Sequence, residues 1–122
     1  MDFRKNRSIY LQIADLIGEN ILKERWPAGE RVPSIRELAV ELEVNPNTVM
    51  RTFSFLQESG IIYNRRGLGY FVSDEGKTLT LEWKRKDFMD GELIHFFHLS
   101  RILEIDVDKM SRLYTDYLEK NR

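Results

Sequence analysis

The spacing of apolar residues changes along this chain and predicts a series of short elements. Residues 9–25 carry apolar side chains at helical spacing, which predicts an amphipathic helix that Ser8 caps. Shorter helical patterns cover residues 35–42 and 46–59. Two β-rich runs then flank a glycine-containing turn at residues 65–69, an arrangement typical of a hairpin.

The two short helices each begin at a residue whose side chain can cap a helix. Ser34 and Glu37 have the spacing of a capping box, in which each side chain bonds the other residue's backbone N–H. Asn45 is a favoured N-cap residue, and the proline after it suits the first helical turn. Because only Glu43 and Val44 lie between the first helix and the Asn45 cap of the second, the pair predicts a helix-turn-helix. The basic hairpin after it, with a short strand at Arg31 and Val32 that pairs with the hairpin, extends this prediction to a winged helix.

The second helix of this pair has an apolar face and a polar face. Asn47, Arg51 and Ser54 share the polar side, and Thr48 lies beside them. Such a face offers hydrogen-bond donors and acceptors and almost no apolar area, which suits the DNA major groove. An ordinary solvated helix face is the alternative interpretation.

Further candidate contacts lie at the start of this helix and at the hairpin tip. Asn45 is expected to act first as a cap and second as a phosphate contact, and Thr48 can bond a phosphate through the free N–H groups of the first turn. Arg65, Arg66 and Gly67 form the tip of the predicted wing. They would lie along the phosphate backbone or enter the minor groove, although hairpin tips are often charged for solubility alone.

Three motifs in combination resemble the DNA-binding domain of the GntR family of bacterial transcription regulators. They are Pro-Ser-x-Arg-x-Leu-Ala at 33–39, Val-Asn-Pro-Asn-Thr-Val-x-Arg at 44–51 and Gly-x-Gly-x-Phe-Val at 67–72. The resemblance covers roughly residues 8–72. The short remainder is similar to the YtrA subfamily, whose members lack a large effector domain.

The resemblance implies a repressor that binds DNA as a dimer. It also implies that Arg36 contacts the DNA backbone or a base edge, with a salt bridge to Glu37 or Glu41 as the alternative. The predicted DNA-binding residues are Ser34, Arg36, Asn45, Asn47, Thr48, Arg51, Arg65, Arg66 and Gly67.

The C-terminal part of the chain has a different, more aromatic composition. A helical pattern over residues 78–103 is disturbed near Asp90 and Gly91, which indicates either one bent helix or two short ones. Asp106 is expected to cap a last helix over residues 107–120. These helices cannot bury their apolar faces alone, so they pack on their own winged helix or, as we expect, on a second chain. The predicted dimerisation residues are Trp83, Phe88, Leu93, Phe96, Phe97, Leu113 and Tyr117.

The predicted fold class is therefore mostly α with a small β-wing. Residues 1–75 would form an N-terminal winged helix-turn-helix, and residues 76–122 a short C-terminal helical dimerisation segment. The net charge is −1, so DNA affinity must come from local placement of basic groups, including Arg4, Lys5 and Arg7. The absence of cysteine and of a long apolar run leads us to expect a cytoplasmic protein with no disulfide and no membrane partner.

The sequence contains few residues arranged for metal binding or catalysis. Glu92, His95 and His98 share one helical face, but they flank an aromatic patch and do not make a closed metal site. No nucleophile–histidine–acid set or phosphate loop stands out, so we expect no enzyme, no metal and no cofactor. A small effector held between two chains by the C-terminal aromatic residues remains an alternative to a plain dimer core.

These observations predict a sequence-specific DNA-binding transcriptional regulator. It would repress by binding a palindromic double-stranded operator as a homodimer. A winged helix that serves only as a protein-interaction module is the alternative, and the near-neutral charge suits that use.

Overall fold

The computed structural model describes residues 7–122, so Arg4 and Lys5 lie outside the described residues. The described elements are α1 (Ile9–Leu22), α2 (Ile35–Leu42), α3 (Pro46–Glu58), β1 (Ile62–Arg65), β2 (Gly69–Val72), α4 (Gly76–Asp90), α5 (Glu92–Ile102) and α6 (Val107–Lys120). They form two compact units, Met1–Arg85 and Lys86–Arg122.

Helix α1 begins at Ile9 as predicted, but its end and the bonding of its cap differ from the prediction. It ends at Leu22 and not near residue 25, because Glu24 adopts a left-handed backbone conformation with φ 58° that a helix cannot continue. Ser8 is the N-cap residue, but its side chain makes no capping hydrogen bond. Its backbone carbonyl instead accepts from the amides of Leu11 and Gln12, each at 3.1 Å.

Helices α1, α2 and α3 enclose the hydrophobic core of the first unit. Their apolar stripes meet there, and Ile17, Phe53 and Leu56 are almost completely buried. Each such side chain contributes about 1.5–3 kcal/mol when it is removed from water. The core therefore fixes α3 in place and determines which of its faces reaches solvent.

The wing is an antiparallel hairpin of β1 and β2, with Tyr63 paired to Phe71. The predicted third strand is confirmed as a single antiparallel bridge between Arg31 and Phe71. Beside that bridge, the amide of Val32 donates to the carbonyl of Tyr70 at 2.8 Å. The predicted winged helix-turn-helix is thus present.

The first unit continues past the expected boundary at residues 75 and 76, into helix α4. The indole of Trp83 packs so closely on α1 that a Cβ at Gly18 would lie 3.1 Å from Trp83 Cζ3. The same ring meets Phe55 edge-on, with 5.2 Å between ring centroids. Gly18 therefore permits a close contact that compensates for its weak helix propensity. Trp83, which the sequence predicts as a dimerisation residue, therefore contributes to the winged-helix fold.

The disturbed pattern over residues 78–103 corresponds to two helices, α4 and α5, and the second unit begins within α4. Helix α4 ends at Asp90, and Gly91, with φ −120° and ψ −87°, separates it from α5. The carboxylate of Asp106 accepts from the amide of Lys109 at 2.8 Å, which confirms the predicted cap of α6. Ser100 is the one buried residue among residues 86–122. This unit has almost no core of its own.

One strained position lies in the turn between α2 and α3. Glu43, the C-cap of α2, has φ 56°, and a left-handed conformation costs an ordinary residue about 1–2 kcal/mol. We expect Glu43→Gly to raise the free energy of unfolding by roughly 0.5–1 kcal/mol, after the entropic cost of glycine is subtracted. Urea unfolding measures the change. The matched control is Glu41→Gly, inside α2, which should lower stability by about 0.5–1 kcal/mol. Equal losses in both variants would contradict the expectation.

Candidate nucleic-acid interface

The start of α2 is held by a complete capping box, as predicted. The amide of Glu37 donates to the Ser34 hydroxyl oxygen at 3.0 Å, and the amide of Ser34 donates to the Glu37 carboxylate at 3.4 Å. Hydrogen bonds from Ser34, and then from Arg31, hold the pKa of the Glu37 carboxyl below its usual value. Glu37 is therefore a carboxylate at neutral pH, which is the form that caps.

Arg31 connects this cap to the wing. Its Nη2 lies 3.3 Å from the Glu37 carboxylate, and its Nε donates to the Leu68 carbonyl at 3.3 Å. The sequence predicts Arg31 only as part of a short strand. No local signal could have found the contact, because Leu68 is 37 positions away in the chain. Arg31 thus ties the wing tip to the first turn of α2.

The start of α3 combines a side-chain cap with exposed polar groups. The Asn45 side-chain oxygen accepts from the amide of Asn47 at 2.8 Å, as expected of an N-cap. Both asparagines are exposed, and Thr48 is half-buried. Backbone N–H groups at a helix N-terminus favour anions, so this end of α3 can accept a phosphate.

The exposed face of α3 carries the polar residues expected there and one apolar residue that was not. Asn47, Arg51 and Ser54 are exposed. Met50 is also exposed, at 51% of its full surface. The prediction of almost no apolar area on this face was therefore wrong. Met50 follows Asn47 by three positions and precedes Ser54 by four, so the same helical spacing would have found it.

Helix α1 positions the side chain of Arg51. The guanidinium carbon lies 4.0 Å from the centroid of the Tyr10 ring, a cation–π contact worth about 0.5–1 kcal/mol at an exposed site. The hydroxyl of Thr52 donates to the Tyr10 carbonyl at 2.6 Å and joins the same turn of α1 to α3. Arg51 is thus directed by a neighbouring aromatic ring and not left to sample all its rotamers.

The wing tip presents cations and an open backbone. Arg65 and Arg66 are exposed, and the Arg65 guanidinium carbon lies 5.6 Å from the Phe71 ring centroid. Gly67 has φ 80°, and a Cβ there would meet nothing within 4 Å. The tip therefore has the charge and the steric freedom to approach a phosphate chain.

Arg36 is exposed on α2. Glu37, one of the two acidic partners considered for it, bonds instead to Ser34 and Arg31. The guanidinium of Arg36 therefore lies on the surface of the helix-turn-helix, next to the capping box.

The second unit presents a large apolar surface. The exposed members of the predicted dimerisation set are Phe88, Phe96, Phe97, Leu113 and Tyr117, and Leu93 is half-buried. Helix α6 has no buried residue along its whole length. Monomeric soluble proteins rarely leave such a surface uncovered.

The described part of the chain also bears on metal binding and on membrane insertion. Among residues 7–122, no three His, Cys, Asp or Glu side chains are grouped so that they could hold a metal ion, and this includes His95 and His98. No described helix combines the length and apolar composition needed to cross a membrane.

Comparison with known sequences gives one family. The sequence model "Bacterial regulatory proteins, gntR family" matches residues 9–72. YhcF of Bacillus subtilis (strain 168), an uncharacterized HTH-type transcriptional regulator, is 33% identical over 111 residues, which are 91% of this chain and 88% of YhcF. YtrA of the same strain, an HTH-type transcriptional repressor, is 39% identical over 84 residues, which are 69% of this chain and 65% of YtrA.

Solved structures show the same fold. A proposed transcriptional regulator of the GntR family from Bacteroides thetaiotaomicron is 36% identical, with a TM-score of 0.78 over 94% of this chain and all of that one. AraR(DBD) in complex with operator ORR3 is 25% identical, with a TM-score of 0.51 over 52% of this chain and 77% of that one.

Proposed function

Since this chain belongs to the GntR family of bacterial regulators, whose helix-turn-helix binds DNA, we propose that it represses transcription as a homodimer on a palindromic operator. The observation that carries this proposal is the face of α3 that points away from the core into solvent. On this face the Tyr10 ring orients the side chain of Arg51. It would act in the cytoplasm, where bacterial DNA lies.

Helix α3 would enter the major groove with its N-terminal half leading. Asn47 and Arg51 have the donors and acceptors that distinguish bases there, since arginine pairs with guanine and asparagine with adenine. Thr48 and Asn45, at the N-terminus of the helix, would contact a phosphate. Arg36 would contact the adjacent backbone and set the register.

The wing would contact the neighbouring minor groove or its phosphates through Arg65, Arg66 and Gly67. Because the net charge is −1, attraction to DNA depends on these local cations. Each phosphate contact releases counterions, so operator affinity should fall steeply as salt rises.

The second unit would form the dimer interface. Three aromatic rings and the apolar strip of α6 are exposed on helices that lack a core, and a second copy offers the same surface. A two-fold interface is self-complementary, and it presents two α3 helices to half-sites about 10 bp, or a multiple of that, apart.

The relative YtrA is a transcriptional repressor, which supports repression and not activation as the effect on transcription. A dimer on an operator would block access of RNA polymerase to the promoter.

Selection from a random double-stranded DNA pool at two salt concentrations tests the proposal. The expected result is a palindrome with half-sites about one helical turn or a multiple of it apart, bound more weakly at high salt. No enrichment at either salt, with cell extract added to supply an effector, would contradict sequence-specific binding. A winged helix that binds protein would then be the function to test.

A further inference from the structure

Met50 is an exposed apolar side chain on the otherwise polar face of α3. Of the large apolar side chains of α3, a helix described over its whole length, Met50 alone exposes about half of its surface, 51%. The others pack against the core. A buried CH₂ group gains about 0.8 kcal/mol relative to an exposed one, so Met50 gives up stabilisation by remaining at the surface.

The position of Met50 on the helix places it among the expected DNA contacts. Successive residues of a helix are about 100° apart, so Asn47 and Ser54 form the middle of the exposed strip, with Met50 and Arg51 on opposite borders. Arg51 lies on the border beside Tyr10, 4.0 Å from its ring centroid. Met50 therefore occupies the other border, away from that cation.

The major groove offers one apolar group on the edges of its base pairs, the C5-methyl group of thymine. We infer that Met50 determines operator specificity by packing against a thymine methyl in each half-site, an inference that rests on the proposed binding of α3 in the major groove. The thioether side chain is flexible and adapts its shape to a small apolar partner. The flanking Asn47 and Ser54 bind polar base edges or phosphates and leave the methyl to Met50.

The experiment removes the apolar group from each side of the contact in turn: the thymine methyl from the DNA, and the thioether of Met50 from the protein. Every thymine of the selected operator half-site is replaced, one position at a time, by deoxyuridine, which lacks only the C5-methyl. The full-length wild-type protein should lose about fourfold in affinity per half-site at one position, the effect of exposing one CH₂-sized group. Met50→Ala should bind the thymine operator several-fold more weakly and should be insensitive to deoxyuridine at that position.

Two further variants serve as controls. Met50→Leu keeps an apolar side chain and should keep the deoxyuridine sensitivity. Ser54→Ala changes a neighbouring exposed residue and should leave that sensitivity as large as in the wild type. Because both positions are exposed, the thermal unfolding midpoints should match the wild type.

The outcomes separate this inference from the proposed function. Failure to select any operator overturns both. A selected operator with no thymine in its half-sites, or with no thymine whose methyl matters, overturns the inference alone. Equal deoxyuridine effects on the wild type and on Met50→Ala also overturn it, since they show that the methyl acts through another residue or through DNA shape.

Discussion

A variant with Leu113→Asp and Tyr117→Asp is expected to be a monomer that binds the operator on the order of 10²–10⁴-fold more weakly than the wild type. The two positions are neighbours on α6, where no residue is buried, so the substitutions leave the packing within one chain intact. Two carboxylates in an apolar interface lose their hydration without gaining partners. Each winged helix would then bind its half-site alone, without the second one at high effective concentration.

Light scattering and a DNA titration on the same sample measure both effects. The matched control is Thr115→Asp, which adds a carboxylate to the same helix outside its apolar strip; the Thr115 hydroxyl bonds only the Ser111 carbonyl on its own helix. This control should remain dimeric and keep its affinity. A dimeric double variant would contradict the interface on α6, and a monomer with unchanged affinity would contradict the need for a dimer.

Arg51→Ala is expected to lose about 1–3 kcal/mol of operator binding free energy and the preference at one base position. The ring of Tyr10 holds the guanidinium carbon at 4.0 Å, so the wild-type side chain loses less rotamer entropy when it meets a base. Titration against the operator and its single-base variants, at one salt concentration, gives both quantities. Unchanged affinity at matched salt would remove Arg51 from the reading role.

Arg66→Ala provides the contrast, because a wing-tip cation that meets phosphate carries no sequence information. We expect it to weaken binding to all sequences about equally and to lower the salt slope by about one. The same pattern in Arg51→Ala would assign that residue to the backbone instead of a base.

Elements whose signals lie within a few residues could be predicted from the sequence with the bounds that the structure has. Helix α2 begins after Ser34 because its capping box is local, and α6 begins after Asp106 for the same reason. The single glycine at residue 91 marks the break between α4 and α5 in the same way.

Features that depend on distant contacts were missed. Trp83 is a large aromatic residue of the kind found at interfaces. Only its packing on Gly18 shows that it belongs to the first unit. The local sequence around Arg31 indicates only a strand residue, and its hydrogen bond to the Leu68 carbonyl forms only in the folded protein. Met50 is a different case, since helical spacing alone would have placed it on the exposed face, which was expected to offer almost no apolar area.

The double contact of Arg31 has a consequence for the thermodynamics of binding. A hairpin of two four-residue strands is marginal by itself in water. Arg31 anchors it at the Leu68 carbonyl and the Glu37 carboxylate, and the amide of Val32 adds a backbone bond. The wing is thus preorganised in the free protein, and the entropy of ordering it is lost during folding. If the wing contacts the operator as proposed, more of the energy of those contacts remains as affinity.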